Sequence, residues 1–484
     1  MIQDYFLAYP RRSSLAVGAG LAVIGLGIGA LLGFAGPIIT LAVLLALAMA
    51  VIPLVSIEVG LWGVIAVITL LPFATLPFKL ILTPTFLDLA LGVVVLVYLI
   101  QWMSGHRRRL TLTPAHGPII AFILLAIFAF ILGLSNGPLT SNLIRKFAEF
   151  ILSIGFAIIV VDYVQTPEKL RSLVRVLLLA GTAAALVAIV LYVLPAAFSE
   201  RALNALGVVG YPTGAVLRYI EDNPENALRA IGTSVDPNAF GGLMAMFGAL
   251  AAPQLVTRHP LFGRRWISWL GFLLIAIALI LTFSRAAMAG LLAAMLLIAA
   301  LRYRRLLLII LLGAILIVFL PTTQEYMGRF IEGFQIADLA TQMRIGEYRD
   351  AFTLLGRYPI MGVGFGGAPD IDIYLGVASA YLTIAEEMGF VGLGAFLLVM
   401  AVIFAWALQH QRTALQRPAL AASWLSLHAG LVAALMVGLF DHYFVNLEFQ
   451  PAQTIFWLFV GLSLAATRFA RDKPGKLRNL KISS

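Results

Sequence analysis

The apolar residues of this chain come in solid runs of roughly 17–20, repeated from one end to the other. A helix rises about 1.5 Å per residue, so each run matches the hydrocarbon thickness of a bilayer. Strands of a membrane β-barrel would alternate apolar and polar residues, and these runs do not alternate. With 61% hydrophobic and only 12% charged residues, the chain has too little polar surface for a water-soluble domain. The expected fold is all-α: a polytopic membrane helix bundle of about fourteen transmembrane helices, with one large extracytoplasmic loop containing an amphipathic helix. The spans are expected near 15–33, 37–53, 56–73, 84–102, 117–134, 143–162, 171–194, 235–252, 266–282, 286–301, 305–320, 379–408, 420–439 and 451–468. A cleavable signal peptide is not expected, because the first run, after Arg11-Arg12, leads straight into a second. With no cysteine, disulfide and thiolate chemistry are excluded.

Charge orients the bundle. If the N-terminus is cytoplasmic, alternate connections are too, and they carry 22 of the 33 Lys and Arg residues. The net charge of +10 is thereby explained by the positive-inside rule, and a nucleic-acid partner is not implied. Both termini are expected to be cytoplasmic. Residues 1–194 then form an N-terminal transmembrane bundle and 195–468 a transmembrane core with outer loops at about 195–234 and 321–378; a basic cytoplasmic tail, 469–484, follows.

The eleven remaining basic residues, Arg218, Arg229, Arg285 and Arg344 among them, fall on the outer side, where topology does not call for them. Most acids fall there too, so many of these cations are expected to be paired. Arg285 stands out. It sits in Leu281-Thr282-Phe283-Ser284-Arg285, a very short link between two apolar runs expected to be antiparallel neighbours, and this link has no acid of its own. A cation held at such a tip is costly unless it meets an anion.

Other outer residues have plain readings beside functional ones. Asp236-Pro237-Asn238 reads as an N-cap followed by proline in the first helical turn. Residues 341–357 read as an amphipathic helix with Met343, Tyr348, Phe352 and Leu355 on its apolar side and Arg344, Glu347 and Asp350 polar. Gly362-x-Gly364-x-Gly366-Gly367 only loosely resembles a phosphate loop, and no strand precedes it. Asp370-x-Asp372 is a weak metal motif, and no ligand cluster accompanies it; no cofactor is expected. Glu386 and Glu387 lie two turns into an apolar helix, where an acid must be protonated, paired or facing a wet cavity. Gly389, Gly392 and Gly394 after them read as close helix packing. His442, in Phe440-Asp441-His442-Tyr443, is the one outer-face histidine.

Four stretches together resemble the bacterial O-antigen ligase and O-antigen polymerase family. They are GTSVDPNAF (232–240), TFSRAAMAG (282–290), the segment from Arg344 to Gly366 ending in PIMGVGFG, and ASAYLTIAEEMGFVGLG (378–394). The resemblance spans roughly 200–445 and rests on order and spacing around one outer loop. It implies a multi-pass protein of the bacterial inner membrane that is a metal-independent, inverting glycosyltransferase. The donor would be an undecaprenyl-pyrophosphate-linked glycan, the acceptor a glycan or lipid-anchored hydroxyl, and the active site would be extracytoplasmic. Membrane lipids are the remaining partners.

The chemistry of such a donor needs a cation for the departing pyrophosphate and a base for the acceptor hydroxyl. Arginine suits the first task, since its planar fork binds phosphate oxygens bidentately. Arg285 and Arg344 are the expected clamps, with Arg218 and Arg229 behind them. The second task meets a departure. Many members of the family carry a histidine, thought to be the base, where this chain has Ala378. Either the base lies elsewhere, with His442, Glu386 and Glu387 as candidates, or Ala378 replaces that histidine by substitution, or the chain does not catalyse the family reaction. Polymerase and ligase are not separated by these residues. A transporter or flippase of a lipid-linked or anionic solute is the rival reading, because carriers also use intramembrane acids and broken helices. The absence of an internal repeat in span lengths or charges weighs against it. A non-catalytic assembly subunit is a third.

Overall fold

In a computed structural model the described residues are 56–76, 83–105, 107, 109–319, 339–367 and 376–472, with isolated positions between 25 and 44. The expected spans near 15–33 and 37–53, the outer cations Lys79 and Arg329, the Asp370-x-Asp372 motif and most of the basic tail therefore lie largely or wholly outside them.

Fourteen α-helices occur among the described residues. In chain order they are α1 (Ile57–Leu70), α2 (Phe86–Met103), α3 (His116–Gly133), α4 (Ser141–Tyr163), α5 (Pro167–Val193), α6 (Ala196–Ala205), α7 (Pro237–Val256), α8 (Arg265–Leu281), α9 (Arg285–Leu301), α10 (Leu306–Phe319), α11 (Leu339–Arg357), α12 (Ala380–Gln416), α13 (Pro418–Val437) and α14 (Gln450–Arg471). Two short antiparallel strands, β1 (Arg218–Tyr219) and β2 (Leu228–Arg229), pair between α6 and α7, with Arg218 opposite Arg229. Among the described residues, seven helices are long and apolar enough to cross a membrane: α2, α3, α5, α7, α12, α13 and α14. α1, α8, α9 and α10 are shorter apolar helices.

Burial divides the long helices into two classes. α7, α13 and α14 are enclosed almost entirely by protein, whereas α2, α3, α5 and α12 bury only about a third of their residues and leave apolar side chains outward. α7 is apolar all round and rich in small residues, so neighbours approach it closely from every side. Gly248 lies against Leu291 of α9, and Gly241 lies against Thr282, Ser284 and Ala287.

This packing corrects one expectation. α8 and α9 are joined by three residues, yet they touch each other at few points; each instead packs along α7. The small side chains of α7 let it wedge between them, which explains why the link did not produce a packed hairpin.

α12 is a single 37-residue element broken internally at Gly389 (φ 65°, ψ −171°). The break is filled by the loop after α11. Val363 and Gly364 donate backbone hydrogen bonds to the carbonyls of Glu386 and Glu387, while Phe390 and Val391 donate to those of Pro359 and Ile360. A side chain at Gly389 would run into the Ile360 carbonyl. The glycine thus serves a helix break as well as the close approach expected of it, whereas Gly394 has open space around it. The Gly-rich turn packs onto backbone as well: Gly364 and Gly366 lie against Gly133 and Gly137 at the end of α3.

Candidate active site

The first part of the site is built by β2. Ala230 donates to the Leu281 carbonyl (2.8 Å), and the Arg229 guanidinium donates to the Thr282 carbonyl (2.8 Å) and to Asn238 Oδ1 (2.6 Å). One strand end is thereby tied to the link before Arg285 and to the first turn of α7. Both helices start here with a capping side chain. Asp236 Oδ1 accepts from the amides of Asn238 (2.7 Å) and Ala239 (2.9 Å), as the sequence predicts, and Ser284 caps α9. Two positive helix ends and two arginines, Arg229 and half-buried Arg285, therefore share one end of the bundle. Burial lowers the pKa of Arg229, against the pull of Asp236, Tyr443 and Asp441.

The second part is built by α11. Arg344, Tyr348, Ala351 and Leu355 fall at i, i+4, i+7 and i+11, and this stripe is the one turned toward protein. The expected apolar side is corrected: Met343 and Phe352 are exposed (59% and 63%), while Arg344 lies on the inward stripe. α11 is pinned to the segment entering α12. Glu347 Oε2 accepts from the Ala378 amide (3.0 Å), and the Tyr348 hydroxyl donates to the carbonyls of Ala378 (3.3 Å) and Leu439 (3.4 Å).

The third part is the connection between α13 and α14. His442 Nδ1 lies 2.9 Å from the Val377 carbonyl. A carbonyl only accepts, so Nδ1 carries the hydrogen, and in the neutral ring Nε2 is left as the basic nitrogen. The imidazole thus lies against the residue next to Ala378. Asp441 is 3% exposed; its Oδ1 accepts from the His442 amide (3.1 Å) and its Oδ2 has no hydrogen-bond partner. Burial pushes its pKa up to about 8; Arg344 opposes this most strongly, Asp236 adds to it, and Arg229 opposes it weakly. Tyr443, within hydrogen-bonding reach of Asp236 and Asn238, is held well above the usual phenol range by burial and the two nearby aspartates.

Arg229, Arg344, Asp236, Asp441, His442 and Tyr443 therefore converge, with Arg285 at the same end. The other expected residues lie at the border of this group, as Arg218 does opposite Arg229, or beyond it. Arg218 is exposed and lines a neighbouring cavity of about 490 Å³ that also reaches Arg145, Lys146, Glu149 and Asp236. Two of the outer cations are paired, as expected: Arg145 with Glu149 (2.5 Å) and Lys146 with Glu448. Glu386 and Glu387 sit about two turns further along α12, roughly 12 Å from Ala378, with their carbonyls engaged by the loop after α11. Glu386 is buried with Oε1 unpartnered, and the charges of Glu347 and Asp350 act on it. No group of three or more potential metal ligands occurs among the described residues.

Asp441, Asp236, Tyr443 and Glu347 were not singled out for this site from sequence. They come from three separate segments; the only signal was polar residues bordering apolar spans at one membrane end.

Residues 270–397 match the family model described as O-antigen ligase. The matched stretch begins in α8 and ends in α12, so it contains Arg285, Arg344, Ala378, Glu386 and Glu387; Arg229, Asp441 and His442 lie outside it. A comparison with curated proteins found no match. The match supports the O-antigen ligase and polymerase family for this multi-pass chain.

Proposed function

Taking that family match as the premise, we propose that the protein transfers a glycan from an undecaprenyl-pyrophosphate carrier to an acceptor hydroxyl. The observation that carries the reading is the convergence of Arg229, Arg344 and the Arg285 link on the junction where His442 meets Val377-Ala378.

The donor pyrophosphate binds at Arg229, Arg344 and Arg285, aided by the amino-terminal ends of α7 and α9. As the anomeric carbon–oxygen bond breaks, the leaving pyrophosphate takes the bonding electron pair, and the arginines stabilise its added charge. The acceptor oxygen attacks the opposite face, which inverts the anomeric centre. Its proton passes to His442 Nε2, the nitrogen left basic by the Val377 hydrogen bond. In this reading His442 supplies from the α13–α14 connection the base that Ala378 lacks. Asp441, neutral below about pH 8, spares the arginines a competing anion. Arg218 borders the adjoining cavity and contacts sugar or acceptor rather than pyrophosphate. Glu386 and Glu387 take no part in proton transfer. The active end is extracytoplasmic and the chain uses no metal.

The test is transfer by purified protein in liposomes containing an undecaprenyl-pyrophosphate glycan. Wild type should lengthen or relocate the glycan in EDTA, His442→Ala should not, and adding Ala378→His to His442→Ala should restore part of the activity. Full activity of His442→Ala sinks the base assignment. Uptake of the donor lipid without any new glycosidic bond would favour the transporter reading.

A further inference from the structure

The end of the bundle away from the active site holds a second built feature. The helices that begin at the site, α7 and α9, each run roughly 25–30 Å and finish beside a cavity of about 710 Å³. Three connections contribute to its lining: Arg258 and His259 after α7, with Arg265 at the start of α8; Arg302, Arg304 and Arg305 between α9 and α10; and Pro418 at the start of α13. None of the lining residues is acidic. Two of the arginines are oriented by carbonyls: Arg265 donates to Thr257 (3.3 Å) and Arg302 to Leu415. Tyr303, also in the wall, has its hydroxyl 3.5 Å from Thr257 Oγ1.

Positive-inside charge accounts for arginines in these connections, but it does not require them to line one cavity. Five guanidinium groups around a common space without a carboxylate repel one another, and an anion with several oxygens relieves that repulsion. The helices leaving the cavity favour an anion with an apolar tail. Trp266 and Trp269 of α8 and Leu308, Leu311 and Leu312 of α10 are all exposed, which suits aromatic rings at the membrane interface and acyl chains along the helices.

We propose that this cavity holds the phosphate head group of an anionic membrane lipid. Such a lipid would fix the α7–α8 and α9–α10 connections relative to each other, and so steady the two helices whose opposite ends carry the active site. A free phosphate shares the head-group chemistry but gains nothing from the apolar flank.

The test uses the full-length protein in nanodiscs of equal phosphatidylglycerol and phosphatidylcholine, with retained lipids read by native mass spectrometry. Wild type should retain phosphatidylglycerol in preference to phosphatidylcholine, and the double variant Arg304→Gln/Arg305→Gln should weaken that retention tenfold or more. Arg264→Gln removes a charge from the α7–α8 connection without touching the cavity and should leave retention unchanged. Unaltered thermal unfolding of the double variant will show that it folds. Equal retention of the two lipids, or equal losses in the Arg264 and Arg304/Arg305 variants, would overturn the proposal. Displacement of the lipid by equimolar inorganic phosphate would overturn the lipid assignment and give the cavity to a soluble phosphate.

Discussion

Two junctions, one on the segment entering α12 and one eight residues further on within it, each gather acids against a neighbouring loop, yet they are held together differently. At Glu386–Glu387 the four bonds to the Pro359–Gly364 loop are all backbone to backbone. They close a break in the helix and would survive almost any side chain at positions 386 and 387. At Ala378 side chains do most of the joining: Glu347, Tyr348 and His442 each reach a main-chain group of the Val377–Ala378 pair, beside the Ala380 amide that donates to the Gly438 and Asp441 carbonyls. Those side chains arrive from elements far apart in sequence and bring Arg344 and Asp441 with them. A junction stapled by backbone serves the fold. One built from side chains, with a buried acid and arginines beside it, is where chemistry is expected.

The largest effect that would break this contrast concerns His442. As a general base it contributes roughly 10²–10⁴ in rate, so His442→Ala should lower kcat by that order and leave donor KM within about twofold. A rise in KM with the fall in kcat, together with a large loss of thermal stability, would mean that the imidazole only anchors Val377. Next comes Arg344→Ala. A charge-assisted hydrogen bond to phosphate contributes about 1.5–3 kcal/mol, so donor affinity measured by equilibrium binding should drop roughly 10–100-fold.

A smaller effect follows from Asp441. Its folded pKa is raised, so the stability its proton confers is complete at low pH and is lost as pH rises through about 8. Ionisation also puts a negative charge beside the arginines. Donor affinity of the wild type should therefore weaken from pH 7 to 9, while Asp441→Asn, neutral throughout, should show a flat profile. An unchanged slope in Asp441→Asn would assign the titration to another group. The smallest effect is expected at the other junction, where Glu387→Gln should leave transfer within about twofold, because the bonds there belong to the main chain. A hundredfold loss would reverse the contrast.

Much of the architecture was legible because a bilayer imposes it: an apolar run long enough to span admits little besides a helix. The cap at Asp236 was equally local, a polar residue and a proline at fixed offsets. What could not be read was lateral packing. Lipid-facing and protein-facing surfaces are both apolar, so nothing in α7 announced that it would part α8 from α9. The same limit explains α11, whose inward stripe carries Arg344 because buried Asp441 lies near that position. Arg285 and Arg344 could be picked out as unexplained cations, and His442 as an outer histidine. Asp441 could not be weighed, since its importance arises from burial beside Arg344 and Asp236, a product of three distant segments meeting.

The proposed function requires the pyrophosphate of the donor to bind at the end of the bundle where α7 and α9 begin. The most direct test is binding of undecaprenyl pyrophosphate to purified protein in nanodiscs, comparing wild type, Arg285→Ala and Arg264→Ala. Binding weakened at least tenfold by Arg285→Ala and untouched by Arg264→Ala is the predicted result. Wild-type affinity in Arg285→Ala, or no binding by folded wild type, would contradict it.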